Sequence, residues 1–237
     1  MGGVVAWPMA YLAYRMTVQY RRHAHNEHTE RIITVKPRRF TAAFLPAILA
    51  APFAYGLDVD APSGTYVNDP GHTRLLWKID HLGLSNYTAR MNSVQITLQF
   101  NAEDVSRSSV VATIDPRSVD TGFVGDKDFD AEIANEPAIL DANRFPEIRF
   151  ESTGVTAQGD NRLIVKGELT LLGVTLPVTL NTELLGSMAS HPFVEVPALG
   201  FQATAVLDRT KFGQDFLSGK GLGDSVEIEI QAEFIKQ

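Results

Sequence analysis

Residues 148–180 read IRFESTGVTAQGDNRLIVKGELTLLGVTLPVTL. Within them Leu163, Val165, Gly167, Leu169 and Leu171 occupy alternate positions, and a period of two places them on one face of a β-strand. Ile148 and Phe150 open an earlier strand of the same kind. The polar run Gln158, Gly159, Asp160 and Asn161 lies between the two and supplies turn residues, so the pair reads as a hairpin. Leu169 to Leu180 makes a second hairpin, with Gly173 at its turn. Strands that follow one another through tight turns form an antiparallel meander, the local unit of barrels and sandwiches.

The same periodicity extends in both directions. From Ser93 to Phe100, Val94, Ile96, Leu98 and Phe100 alternate with Ser93, Gln95, Thr97 and Gln99. Near the C-terminus Val226, Ile228, Ile230, Ala232 and Phe234 interleave with Glu227, Glu229, Gln231 and Glu233. Each of these strands has one dry and one wet face. Further strands fit Arg74–Asp80, Ser109–Ile114 and Gln202–Leu207, and the helical signal is confined to roughly Asp126–Leu140. No repeat, low-complexity run or linker divides residues 55–237, which read as one all-β domain. The architectures that suit it are an up-and-down barrel or a sandwich. Closure into about eight strands removes exposed edges and leaves room for one small ligand, whereas a sandwich fills its middle with side chains.

Composition narrows the chemistry. There is no cysteine, hence no disulfide framework, thiolate metal site or cysteine nucleophile. Seven of the 21 Lys and Arg residues and two of the 28 acidic residues fall in residues 1–54, which therefore carry +5. The remaining 14 basic and 26 acidic residues leave the folded part near −12. Such a surface is a poor partner for nucleic acid. No HExxH, HxH or GxSxG pattern occurs in the folded part. His72 and His81 lie nine residues apart on one strand and its approach, a spacing that assembles neither a metal site nor a catalytic base with a partner.

Several segments resemble the YceI-like family of secreted, lipocalin-like, polyisoprenoid- or lipid-binding proteins. Tyr66, Asn68, Asp69, Pro70, Gly71 and His72, followed by Trp77, His81, Leu82 and Gly83, are similar to the family's opening strand. Ser118, Val119, Asp120, Thr121, Gly122 and Asp128 follow in order. The most specific matches are NRFPEIRFEST (143–153) and GELTLLGVTLPVTL (167–180). Asp208, Arg209, Thr210, Lys211, Phe212 and Gly213 resemble the family's late turn, and Gly223, Asp224, Ser225 and Val226 the start of its last strand. The segment after Asp128 and the stretch 184–197 depart from the family pattern.

The resemblance implies a single antiparallel up-and-down (lipocalin-like) β-barrel of about eight strands with one short helical segment, preceded by a signal peptide. It implies a binding protein rather than an enzyme. The expected ligand is an isoprenoid quinone, polyprenol or fatty-acyl lipid, with no other cofactor. Trp77, Ile79, Phe100, Phe150, Leu169, Leu171, Ala205 and Phe234 are the expected ligand-binding wall, although the same residues would pack the core of a filled barrel. Asp120, Thr121, Asp128 and Arg209, with Lys211, stand where they would clasp a head group at the barrel mouth or cap turns and close the barrel. A filled barrel serving a membrane-bound redox or stress-response partner is the alternative, marked by an exposed apolar patch near the mouth within Asp126–Leu140. The resemblance also permits a homodimer.

The N-terminal part reads as processing rather than fold. FTAAFLPAILAAPFA (40–54) follows Lys36, Arg38 and Arg39 and contains no charge, the layout of a secretory signal. It is shorter than the ~20 apolar residues of a membrane span and carries Pro46 and Pro52. Residues 35–54 are thus the expected signal peptide, 55–237 the barrel, and the destination periplasmic or secreted. Residues 1–34 form an extension in which His23, His25 and His28 sit in a polar, non-periodic setting. One hypothesis is initiation near Val35, with the extension untranslated; N-terminal sequencing of the precursor that found residues 1–34 would overturn it.

Overall fold

The computed structural model describes Leu57 and residues 59–237, so the expected extension and signal peptide lie outside the described residues. Ten strand segments follow in order: β1 (Gly64–His81), β2 (Ser85–Met91), β3 (Val94–Phe100), β4 (Ser109–Ile114), β5 (Val119–Asp120), β6 (Ile148–Gly159), β7 (Arg162–Leu171), β8 (Val174–Met188), β9 (Ala198–Asp208) and β10 (Leu222–Lys236), with helix α1 (Phe129–Asn135) between β5 and β6. All pairings are antiparallel, and β10 returns to pair with β1.

The ten segments occupy eight strand positions. Leu75–His81 of β1 pairs with β2, while Gly64–Val67 pairs with β3, so β2 and β3 are two halves of one strand. In the same way β4 pairs with β3 and β5 with β2. The result is an eight-stranded, closed, up-and-down barrel with one helix. Both hairpin turns expected around 158–161 and Gly173 form. Asp160 and Asn161 have φ of 49° and 60°, and Leu172 and Gly173 have φ of 52° and 74°. Positive φ at both central residues matches the right-handed twist of the flanking strands.

The helical signal, expected over Asp126–Leu140, contracts to seven residues. Asp128 sets the start, its carboxylate accepting the Ala131 N–H at 2.9 Å. Pro137 sets the end, because the residue before a proline is pushed out of the α region, and Glu136 is extended at ψ 121°. β1 begins ten residues earlier than the expected Arg74, because its alternation changes phase part-way. Tyr66 and Asn68 face inward, then Thr73, Leu75 and Ile79, with a register shift between Asn68 and Thr73.

Asn68 makes that phase change possible. Its side chain is buried and replaces the ladder bonds lost where β1 leaves β3. The amide donates to the Val94 carbonyl at 3.1 Å and the Thr73 hydroxyl at 2.9 Å, and its oxygen accepts the Ile96 N–H at 2.6 Å. Below it, Tyr66 has no exposed surface. The Tyr66 hydroxyl donates to the Pro62 carbonyl at 2.6 Å, and its ring meets Phe100 edge-on at 6.1 Å. Phe201 and Phe234 stack edge-on at 5.9 Å. These aromatics floor the end of the barrel at which β1 begins.

Gly167 interrupts the apolar alternates of β7 for a steric reason. A Cβ there would lie 2.4 Å from the Phe150 ring and 2.5 Å from the Glu151 carbonyl oxygen, so the bare backbone lets Phe150 lie across the inner face. Replacing Asn68 by Ala would leave the Ile96 N–H and the Val94 carbonyl buried without their side-chain partners. The expected loss is about 1–3 kcal/mol of unfolding free energy, measured by urea denaturation. An unchanged midpoint would show that Asn68 does not hold the break in β1.

Candidate ligand cavity

The inward alternates do not meet across the barrel. They enclose a cavity of about 520 Å³, within the ~300–1,000 Å³ range of small-molecule sites. Trp77, Ile79, Phe100, Phe150, Leu169, Leu171, Ala205 and Phe234 all line it. Val94, Ile96 and Leu98 of β3 and Ile228 and Ile230 of β10 complete the wall. From Phe234 to Val226 the lining follows β10 for about 27 Å at ~3.4 Å per residue. With strands tilted by ~40°, this is a depth of about 20 Å along the axis.

The mouth lies at the end opposite the aromatic floor. Phe129 and Ile133 of α1, Ile139 and Leu140 after it, Phe212, Phe216 and Leu217 from the segment joining β9 to β10, and Leu222 at the start of β10 line it there with apolar side chains. Strand periodicity carries no information about these lid residues; the sequence reading placed an apolar patch near the mouth within 126–140 but named none of them as part of the site. Tyr87 of β2 it also missed, because Ser85–Met91 shows only a weak alternation; in the fold Tyr87 pairs with Ile79 on the cavity side.

Arg209 is 3% exposed and lines the cavity near the mouth. Its guanidinium is held mainly by backbone. Nε donates to the Gly223 carbonyl at 2.8 Å and Nη1 to the Gln214 carbonyl at 2.7 Å, while the Asp224 carboxylate stands 3.7 Å away. Arg209 thereby pins the lid segment 214–224 to the end of β9. The other expected head-group residues are not among the cavity's lining. Asp120 accepts from Arg90 and Asn92 and from the Gly122 N–H, and the Arg90 bond above all holds its carboxyl below the usual carboxylate range. Thr121 donates through its N–H and hydroxyl to Asp130, and Asp128 caps α1. Lys211 lies 3.6 Å from Asp208 at the surface.

The two histidines of the opening segment part company. His72 sits on the outer bulge against Asp69 at 2.8 Å, with Glu233 at 3.9 Å; the Asp69 bond is the main cause that raises its proton affinity. His81 lines the cavity mouth. Among the described residues no three metal-capable side chains converge. The rim of the mouth carries Leu82, Leu84, Phe123, Val124, Phe216 and Leu217, all exposed large apolar side chains. This patch lies mostly on the loops around the mouth rather than within 126–140.

The sequence profile of the YceI-like domain matches residues 66–234, the whole of the described barrel apart from its margins. The chain belongs to the YceI-like family. A UPF0312 protein of Vibrio cholerae is 30% identical over 198 residues, covering 83% of this chain and 97% of that one. A UPF0312 protein of Pseudomonas paraeruginosa is 34% identical over 166 residues, covering 70% and 83%. Among solved structures, BcnA of Burkholderia cenocepacia superposes with a TM-score of 0.60 at 20% identity, covering 70% of this chain and 98% of its own. A polyisoprenoid binding domain from Saccharophagus degradans superposes with a TM-score of 0.53 at 13% identity, covering 73% and 98%. At these identities the structural likeness concerns the fold.

In this YceI-like chain the matched segments perform identifiable structural work. Asn68 to His72 build the break in β1, Phe150 and Gly167 interlock across β6 and β7, and Arg209 to Gly213 tie the lid to the wall. The cavity gives a direct test on Ala205. In a filled core an added ring overpacks and costs about 1–3 kcal/mol, a fall of roughly 3–10 °C in melting temperature. Because Ala205 faces open volume, A205F is expected to melt within about 2 °C of the parent or above it, as read by differential scanning calorimetry.

Proposed function

We propose that this protein binds and carries a long hydrophobic molecule, an isoprenoid quinone, polyprenol or fatty-acyl lipid, along the barrel axis, and that it acts by binding rather than catalysis. The observation that carries this reading is the largely apolar cavity, open at one mouth, in a barrel of the YceI-like family. Left unfilled, so apolar a cavity leaves its lining side chains without contact partners on one side. Water is a poor filler, because it needs two to four polar partners that so apolar a wall does not provide. A lipid tail is a good one: about ten buried methylenes gain roughly 8 kcal/mol before ordering costs. The family relationship and the polyisoprenoid-binding domain of the same fold support this choice of ligand.

The exposed apolar rim around the mouth favours a second element of the same reading, transfer of the ligand to or from a membrane or a membrane-bound partner. Large apolar side chains gathered at the opening of an apolar cavity mark a contact surface. The basic and apolar layout of residues 36–54 supports a periplasmic or secreted destination. The test is a native mass spectrum of the protein purified without denaturation, followed by organic extraction. An added mass that extracts as an isoprenoid or acyl lipid is expected. A protein that carries no such mass and also fails to take up added quinone or polyprenol would overturn the carrier reading and leave a filled barrel acting through its surface.

A further inference from the structure

The cavity opens at one end and is stopped at the other, and the stop is two layers of side chains deep. Phe100, Phe201 and Phe234 are the last inward positions of β3, β9 and β10 that line it. Behind them come Leu199, the next inward position on β9, and Leu184, the next after Thr182 on β8; both are 2% exposed and neither lines the cavity. Tyr66 joins this second layer, edge-on to Phe100 and with its hydroxyl held by the Pro62 carbonyl. Immediately above the rings the wall narrows to small side chains, Ala203 on β9 and Ala232 on β10. The open volume therefore ends abruptly, at rings that have a filled layer behind them and no space into which to step aside.

We propose that this aromatic floor measures the ligand's tail. A polypeptide extends by about 3.5 Å for every three bonds, so a depth of about 20 Å takes up a linear tail of about 17 bonds, or about four isoprene units. The proposal rests on the carrier reading above and narrows it to tails of that length. Each methylene added to a shorter tail is buried against the wall and strengthens binding about fourfold. Once the tip meets the rings, further carbons are pushed back among His81, Glu132, Glu136 and Gln214 at the mouth or into water. They cover little apolar wall there and add little affinity.

Equilibrium dialysis of the delipidated protein against saturated primary alcohols tests this, with chains from about ten to about twenty-four carbons kept below their solubility limits, bound alcohol being read by extraction and mass analysis. Affinity is expected to rise about fourfold per carbon up to about 16–18 carbons and by less than about 1.5-fold per carbon beyond. Two variants should move that break in opposite directions. Ala203→Phe puts a ring one inward position higher, ~7 Å along the strand or ~5 Å along the axis, and should bring the break down by about four carbons. Phe234→Ala opens the first layer and should move the break up by about two to four carbons. Below the break both variants should keep the parent's gain per carbon, which also reports that the barrel is folded; if Phe234→Ala does not fold, Ala203→Phe decides alone. Affinity that climbs to the end of the series, as for a tail folding back on itself, or a break that stays in place in Ala203→Phe, would overturn the ruler and leave the carrier reading intact. Failure of every alcohol to bind would overturn both.

Discussion

Once β10 pairs with β1, every strand has a neighbour on both sides, and the circumference of the sheet is fixed by hydrogen bonds rather than by side-chain packing. An open sheet with the same apolar face would fold onto a second layer until its side chains touched. A closed circuit cannot, because moving opposite walls together means breaking ladder bonds whose buried N–H and C=O groups have no other partners. The space inside is therefore a property of the backbone. Side chains trim it: the large aromatics Tyr66, Phe100, Phe201 and Phe234 fill one end, and the middle, lined by smaller residues such as Ala203 and Ala205, stays open.

The same circuit explains why a polar residue is buried in so apolar a structure. β1 has to serve β3 with its first residues and β2 with its last, and the strand it faces is interrupted at Asn92 and Ser93. A continuous ladder would leave backbone groups stranded at that step. Asn68, with a donor and an acceptor on one short side chain, mimics a peptide group and bridges the break. The four residues that follow are extruded as the bulge that Asp69 and His72 organise on the outside. Arg209 plays a related part at the other end, where carbonyls of the lid segment would otherwise lack donors.

Strands, turns and wall were legible in the sequence because they rest on local signals. The alternation of Leu163, Val165, Leu169 and Leu171, the Asp160–Asn161 and Leu172–Gly173 turns, and the dry faces of β3 and β10 are all set within a few residues. The early half of β1 was not legible, since its phase change depends on Asn68 reaching Val94 and Ile96, 26 and 28 residues away. Tyr87 was missed because Ser85–Met91 is short and only weakly alternating. For Asp120, Thr121 and Asp128 the sequence left a structural role and a head-group role open. Their bonds to Arg90, Asp130 and the first turn of α1 are tertiary or capping contacts that a position at a strand end does not reveal.

Affinity and identity are carried by different parts of this barrel. The wall contributes a binding energy that grows with the apolar area covered and is nearly indifferent to what covers it. Discrimination needs a feature that the wall alone lacks, and the floor supplies one, since covered area stops growing where Phe100, Phe201 and Phe234 close the barrel.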